Sequence, residues 1–429
     1  MTLLRRSVVA AVVATALTTA GVLTAGAAPP DSADPSAAAL PTAAVAIGDS
    51  FISGEGGGDY TPVVDVNGVS QGFPGWSAPN ANAFFCHRST RSSLNQADLA
   101  GIQDRFNLAC SGGQPHDIAN PSANREKGRT VPAQLDQLRS VAQTHDVDLV
   151  LVGLGSNNSS FTFGDAASVC ANRFIADAWT GWWEFWAYLG GEVPQEPCTI
   201  TDLATDVELA AATAETTAAL RGLLTTLAEV DADGQHRIVL QDYTNPLPTD
   251  YAPGYHEEDN RADDRDKFRA LGAERYAAGC PAHRASLAAG HLFSQGLGTL
   301  VRSTHTTLST EFPAADLVYL NVQQAFDGAR LCEQPGSPGN ALATPLRVQD
   351  GPTGVPVESF GPFDKLDIKR VTDTCKSYYQ TCQESWHPSA AGHAVLGQCL
   401  AAAWSRGGPT LTCVRTPSGT IRCSERPVT

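Results

Sequence analysis

Five short stretches of the chain are nearly continuous in apolar residues: Ala43 to Ile47, Arg105 to Ala109, Asp148 to Leu154, Arg237 to Gln241 and Leu317 to Val322. Runs of this length without polar alternation fit strands of a parallel sheet covered on both faces. Between them the pattern becomes helical, over Val131 to Gln143, over Leu203 to Glu229 with its repeated alanines and leucines, over much of Arg261 to Thr304, and over Pro388 to Ser405. Strand and helix alternating in this way predict a single-domain α/β fold. The expected form is a three-layer α/β/α sandwich around a mainly parallel, flavodoxin-like five-stranded sheet. Pro388 suits the first position of the last helix, which places His387 on the loop leading into it.

Two insertions interrupt the alternation. Ser159 to Ile200 carries Trp179, Trp182, Trp183 and Trp186 between Cys170 and Cys198, and their spacing of three or four residues puts several indoles on one helical face. They fit either a satellite core under a disulfide or an apolar, substrate-binding wall. Leu331 to Thr374 is rich in Gly and Pro and reads as an irregular loop that shapes a cleft. The acidic run His256 to Asp266 reads as a solvated helix face.

Composition narrows the class. The net charge of -16 offers no basic stripe for phosphates, so no nucleic-acid partner is expected. Residues 1–27 read as a secretory signal, with Arg5 and Arg6 at its start, an apolar stretch from Ser7 to Thr24, and Ala25-Gly26-Ala27 as a cleavage site. A Pro/Ala/Ser-rich linker over residues 28–42 leads to the folded domain at 43–407 and a C-terminal disulfide hairpin extension at 408–429. No later segment is long and apolar enough to span a membrane, so a secreted, extracellular protein is expected, working as a monomer.

Eleven cysteines in an exported chain are read first as disulfides. Spacing does not derive connectivity, but order along the chain favours Cys86 with Cys110, Cys170 with Cys198, Cys280 with Cys332, and Cys413 with Cys423. Cys375, Cys382 and Cys399 remain, leaving at least one thiol. No Cys-x-x-Cys or His-Glu-x-x-His spacing points to a metal, and no cofactor is expected.

The chemistry concentrates in four segments. The first strand stops at Gly48-Asp49-Ser50, ahead of the glycine-rich Ser53-Gly54-Glu55-Gly56-Gly57-Gly58. A strand ending in a small-residue turn holds a hydroxyl at the carboxyl edge of a sheet, although such a serine alone equally fits a helix cap. The other three are Phe106 to Gly113, Val150 to Asn158, and Glu384-Ser385-Trp386-His387-Pro388-Ser389-Ala390-Ala391-Gly392-His393. In order they supply a serine, a glycine, an asparagine, and a histidine preceded at three residues by a carboxylate. Acyl transfer needs a nucleophile, a base, an acceptor behind the base and donors for the developing oxyanion, a set these residues can supply.

This set resembles the four sequence blocks of the SGNH hydrolase (GDSL esterase/lipase) family. The combination of Cys86-His87-Arg88-Ser89 with Ala109-Cys110-Ser111-Gly112 resembles its secreted actinobacterial branch, and the likeness runs from about Ala43 to Trp404. It implies Ser50 as nucleophile, His387 as base, and Glu384 behind the base through its side chain or its backbone carbonyl. It further implies an oxyanion hole from the N–H groups of Ser50 and Gly112 and the amide of Asn157. Glu384 and Asn158 stand where the family has aspartates, and the second departure weakens any role for the Asn158 side chain in ordering its turn. Asp49 reads as structural, and His393 as a packing or capping residue. The serine is not in a Gly-x-Ser-x-Gly elbow, which separates the chain from the α/β-hydrolase lipases. The activity expected is hydrolysis of small-molecule or lipid carboxylic esters through an acyl-serine. The alternatives are a carbohydrate deacetylase of the acetylxylan-esterase kind and a non-catalytic wall-binding protein on the same fold.

Overall fold

β1 (Thr42–Gly48) is apolar and almost wholly buried, so it needs a neighbouring strand on each edge and a layer on each face. It finds β2 (Asp104–Asn107) on one side and β5 (Asp146–Gly153) on the other, both parallel to it. β6 (Arg237–Gln241) adds to β5 and β7 (Asp316–Gln324) to β6, again in parallel. These are the five expected strands, in the order β2-β1-β5-β6-β7. The computed structural model describes residues 39–61, 86–124, 129–163, 166, 198–230, 236–250, 284–331, 333 and 387–425.

The sheet has seven strands, which corrects the expected five. β8 (Thr410–Arg415) pairs in parallel with β7, and β9 (Ile421–Ser424) pairs antiparallel with β8. The hairpin was legible from its turn, but it docks on the main sheet because Leu411 and Cys413 need cover on its inner face. A second, unexpected ribbon joins β3 (Ser122–Asn124) to β4 (Arg129–Val131); strands of three residues carry no readable period.

α1 (Ser50–Ser53) is a single turn directly after β1. α2 (Ser93–Gln96) and α8 (Ala390–Ser405) pack together as one outer layer. α3 (Pro115–Ala119), α4 (Gln134–Ala142), α5 (Ile200–Leu203), α6 (Asp206–Val230) and α7 (Arg284–Glu311) group as the other. The helix expected over Leu203 to Glu229 is α6, which starts at Asp206 because Thr205 and Glu208 form a reciprocal cap: Thr205 N–H donates to Glu208 Oε2 at 2.7 Å, and Glu208 N–H to Thr205 Oγ1 at 3.3 Å. α8 begins two residues after Pro388, since the Ser389 hydroxyl accepts from Gly392 N–H at 3.2 Å and caps it there.

Cys86–Cys110 and Cys413–Cys423 are disulfides, as expected from chain order. Cys198 is also disulfide-bonded, and Cys399 is a buried free thiol. Cys170, Cys280, Cys332, Cys375 and Cys382 lie outside the described residues, as do the signal and the four insertion tryptophans. Among the described residues no helix is long and apolar enough to cross a membrane.

The end of β1 is built by close approach. Gly48 has φ +141°, and a Cβ there would lie 1.9 Å from the Gly153 carbonyl oxygen of β5. On its other side the Gln134 side chain acts as a substitute strand: Gly48 N–H donates to Gln134 Oε1 at 2.8 Å, and Gln134 Nε2 donates to Gly48 O at 2.9 Å. Gly48→Ala is therefore expected to cost more than about 4 kcal/mol, read from the denaturant midpoint. A loss below about 1 kcal/mol, within the range of ordinary substitutions, would show that the strands can part to admit the methyl group.

Candidate active site

Ser50 owes its position to the turn that stops β1. Asp49 is the N-cap of α1, its Oδ1 accepting from Phe51 N–H at 3.1 Å, and Gly54 closes the turn in the left-handed region. The other Asp49 oxygen, Oδ2, accepts from the Ser156 hydroxyl at 2.7 Å and the Tyr243 hydroxyl at 2.5 Å. The Tyr243 oxygen in turn accepts from Ser156 N–H at 3.0 Å. A single buried carboxylate thus ties together the ends of β1, β5 and β6. Asp49 is the structural element its position suggested.

His387 Nε2 lies 2.8 Å from Ser50 Oγ, across 337 positions of sequence. The imidazole packs against two phenyl rings that also touch each other, with centroids 4.8 Å from Phe51 and 5.4 Å from Phe163, which restricts its rotation. Both members of the pair are buried, at 4% exposure each, so their hydrogen bond is shielded from bulk water. Glu384 lies outside the described residues. His393, in α8, is fully buried and its Nε2–H donates to the backbone carbonyl of Glu55 at 3.0 Å. Burial, with the charge of His387 adding to it, pushes His393 down to about 4, so it stays neutral and serves as a donor.

The three expected donors face the same edge. Ser50 N–H is in the first turn of α1, where helical N–H groups have no internal acceptor. Gly112 has φ +70° and open space where a Cβ would stand, so its glycine meets a conformational need rather than a steric one. Asn157 Oδ1 accepts from Phe163 N–H at 3.2 Å, which fixes the amide orientation and leaves its buried Nδ2 without a protein acceptor. The expectation that Asn158 is a weak turn organiser is corrected. Its Oδ1 accepts from Ser160 N–H at 2.8 Å and Phe161 N–H at 3.1 Å, because the amide oxygen does here what one carboxylate oxygen would.

A cluster that local sequence did not reveal lies beside this edge. Glu55, fully buried, has Oε1 at 2.8 Å from His87 Nδ1, while its Oε2 accepts from the Ser111 hydroxyl. Burial works to raise the Glu55 carboxyl, but the charge and hydrogen bond of His87, the charge of His387 and the Ser111 hydroxyl outweigh it and hold it below its ordinary value. The only hint in the chain was a charged residue inside a glycine-rich turn, followed by His87 and Ser111 next to two cysteines that pair.

Two other carboxylates behave oppositely. Burial pushes Asp49 up to about 6 against its hydrogen bonds from Tyr243 and Ser156. Burial does the same to Asp242, also to about 6, although it accepts from the Tyr319 hydroxyl at 2.8 Å and Tyr243 N–H at 2.6 Å. Among the described residues the cysteine group able to hold a metal is Cys399 with Cys413 and Cys423, and two of those sulfurs are joined in the disulfide.

No family model matches the chain, and no curated protein matches it. Among solved structures it is similar to an active-site mutant of a family two carbohydrate esterase from Clostridium thermocellum, at 11% identity over 85% of this chain and 63% of that one, with a TM-score of 0.32. The chain thus spans less than two thirds of that relative. It is also similar to a protein described as an arylesterase from Agrobacterium tumefaciens str. C58, at 12% identity over 84% of this chain and 97% of that one, with a TM-score of 0.29. At such scores the likeness decides nothing about this chain's chemistry, which rests on its own residues.

Two outcomes follow from the buried network. Tyr243→Phe leaves Ser156 N–H without its acceptor and Asp49 without a donor, and is expected to lower stability by about 1–3 kcal/mol, measured by denaturant unfolding; an unchanged midpoint would show that the network is redundant. Asp242 binds its proton more tightly folded than unfolded, so its contribution to stability is full below pH 3.8 and is lost as pH rises through about 6. Asp242→Asn is expected to shrink the fall in stability between pH 4 and pH 7 by on the order of 3 kcal/mol, and parallel pH curves for the two proteins would contradict the raised value.

Proposed function

We propose that this protein is a secreted serine hydrolase that cleaves carboxylic esters, acyl lipids first among them, through an acyl-serine intermediate. The observation that carries the reading is the 2.8 Å contact between Ser50 Oγ and His387 Nε2, made by residues 337 positions apart. A buried serine hydroxyl bonded to an imidazole at the carboxyl edge of a parallel sheet is the arrangement nucleophilic acyl transfer requires.

In this reading His387 Nε2 takes the Ser50 proton as Oγ attacks the ester carbonyl. The oxyanion is met by Ser50 N–H, Gly112 N–H and Asn157 Nδ2–H, the last already desolvated and unpaired in the folded protein. His387 then returns its proton to the leaving alcohol, and water repeats the cycle on the acyl-serine. Glu384, three residues before the base, is proposed to orient the ring. The rings of Phe51 and Phe163 against the imidazole support an apolar acyl group at this face. Trp179, Trp182, Trp183 and Trp186 are proposed to extend that apolar surface. The disulfides Cys86–Cys110 and Cys413–Cys423 are compatible with export to an oxidising compartment. The protein is proposed to act as a monomer on small-molecule or lipid esters.

A fluorophosphonate probe should label the wild-type protein at Ser50, and Ser50→Ala should take none. His387→Ala should lower turnover of a nitrophenyl ester by roughly 10³-fold or more. A folded wild type that neither labels nor hydrolyses any short ester would instead favour a binding protein. Preference for acyl chains of about eight carbons or more over acetate supports the lipid reading, and activity confined to acetylated xylan would replace it with carbohydrate deacetylation.

A further inference from the structure

We propose that Glu55 is a positioning residue that locks the Gly112 turn to the nucleophile's own turn, through Ser111 on one oxygen and His87 on the other. This rests on the ester-hydrolase reading, in which Gly112 N–H meets the oxyanion.

Glu55 is attached to the nucleophile's turn by its backbone: its N–H donates to Ser50 O at 3.1 Å. From there its carboxylate reaches two separate segments, the Ser111 hydroxyl next to Gly112 and His87 Nδ1 at 2.8 Å. Its carbonyl accepts from His393 of α8, the helix that His387 leads into. One residue therefore touches the element of the nucleophile, the loop of the Gly112 donor and the helix behind the base.

The Ser111 and His87 segments are also bound to each other. Cys86–Cys110 joins them covalently, Ser111 N–H donates to Cys86 O at 3.1 Å, and Arg88 donates to Leu108 O at 2.7 Å and Ala109 O at 2.9 Å. Backbone bonds also tie the assembly to β1 and α1, Cys110 N–H donating to Gly48 O at 3.1 Å and Ser89 N–H to Ser53 O at 2.8 Å, and Glu55 adds the tie at Ser111, the residue next to Gly112. His87 is kept at φ +41°, a region histidine seldom adopts, with the Tyr60 ring stacked on it at 4.6 Å. Strain of this kind persists where the surroundings fix a residue firmly, and here the fixed residue is the one whose Nδ1 meets Glu55 Oε1.

A carboxylate one residue from an oxyanion donor would oppose the reaction if it were bare. Paired with His87, it supplies rigidity without presenting an uncompensated negative charge. Displacing a donor by about 1 Å can cost on the order of a hundredfold in rate.

The test is a cycle of Ser111→Ala, Glu55→Gln and the double variant, assayed for kcat, KM and inhibition by phenylboronic acid, whose serine adduct carries a tetrahedral oxygen in the donor site. Ser111→Ala is expected to lower kcat roughly tenfold or more with KM within about twofold. Boronic acid affinity should weaken by a similar factor, the melting temperature should stay near wild type, and the double variant should be no worse than the poorer single. Ser111→Ala decides the matter even if Glu55→Gln fails to fold. An active wild type matched in kcat and boronate affinity by Ser111→Ala overturns the positioning role alone, as do singles whose losses multiply. An inert, unlabelled wild type overturns this role together with the ester-hydrolase reading.

Discussion

The Asp49 carboxylate is the constraint on which the rest of the architecture depends. Its two oxygens collect donors from α1, from the loop after β5 and from the second residue after β6, so three strand ends are held around one buried acid. Ser50 is the next residue in the chain, and Asn157 is next to Ser156. Ser50 and Asn157 therefore share one reference point. The network is tolerable inside the fold because every Asp49 contact is a hydrogen bond donated to it, which offsets part of the burial that pushes its pKa up.

How much of this could be read from the chain depended on whether the signal was local. The five parallel strands announced themselves as apolar runs, and Ser50 and His387 stood out because each follows or precedes a recognisable element end. The cap that starts α6 was also written locally, as Thr205 and Glu208 three apart, just after the expected start at Leu203. The Asn158 turn was misjudged for a chemical reason: one amide oxygen suffices where two N–H groups converge on it. Glu55, His87 and Ser111 were beyond local reading, since they come from segments 32 and 56 positions apart and meet only after β1 and β2 pair. The docking of β8 on β7 was hidden for the same reason.

The two halves of the candidate site use charge in contrasting ways. Asp49 and Asp242 are pushed up by burial, toward neutrality, and serve as scaffolding. Glu55 is held down, as an anion, by a histidine partner and by the field of His387.

The 337-position gap between Ser50 and His387 has a kinetic meaning. Closing so long a loop adds little to the equilibrium cost, about 0.6 kcal/mol for each doubling of length. It does, however, delay the event, because distant contacts form after nearer ones. The Ser50 turn needs β1, β5 and β6, whereas His387 arrives only with the segment that precedes α8. Until that segment is in place, the Ser50 turn lacks its imidazole partner. In the proposed reading such a species is chemically silent, and turnover would begin only once α8 has seated.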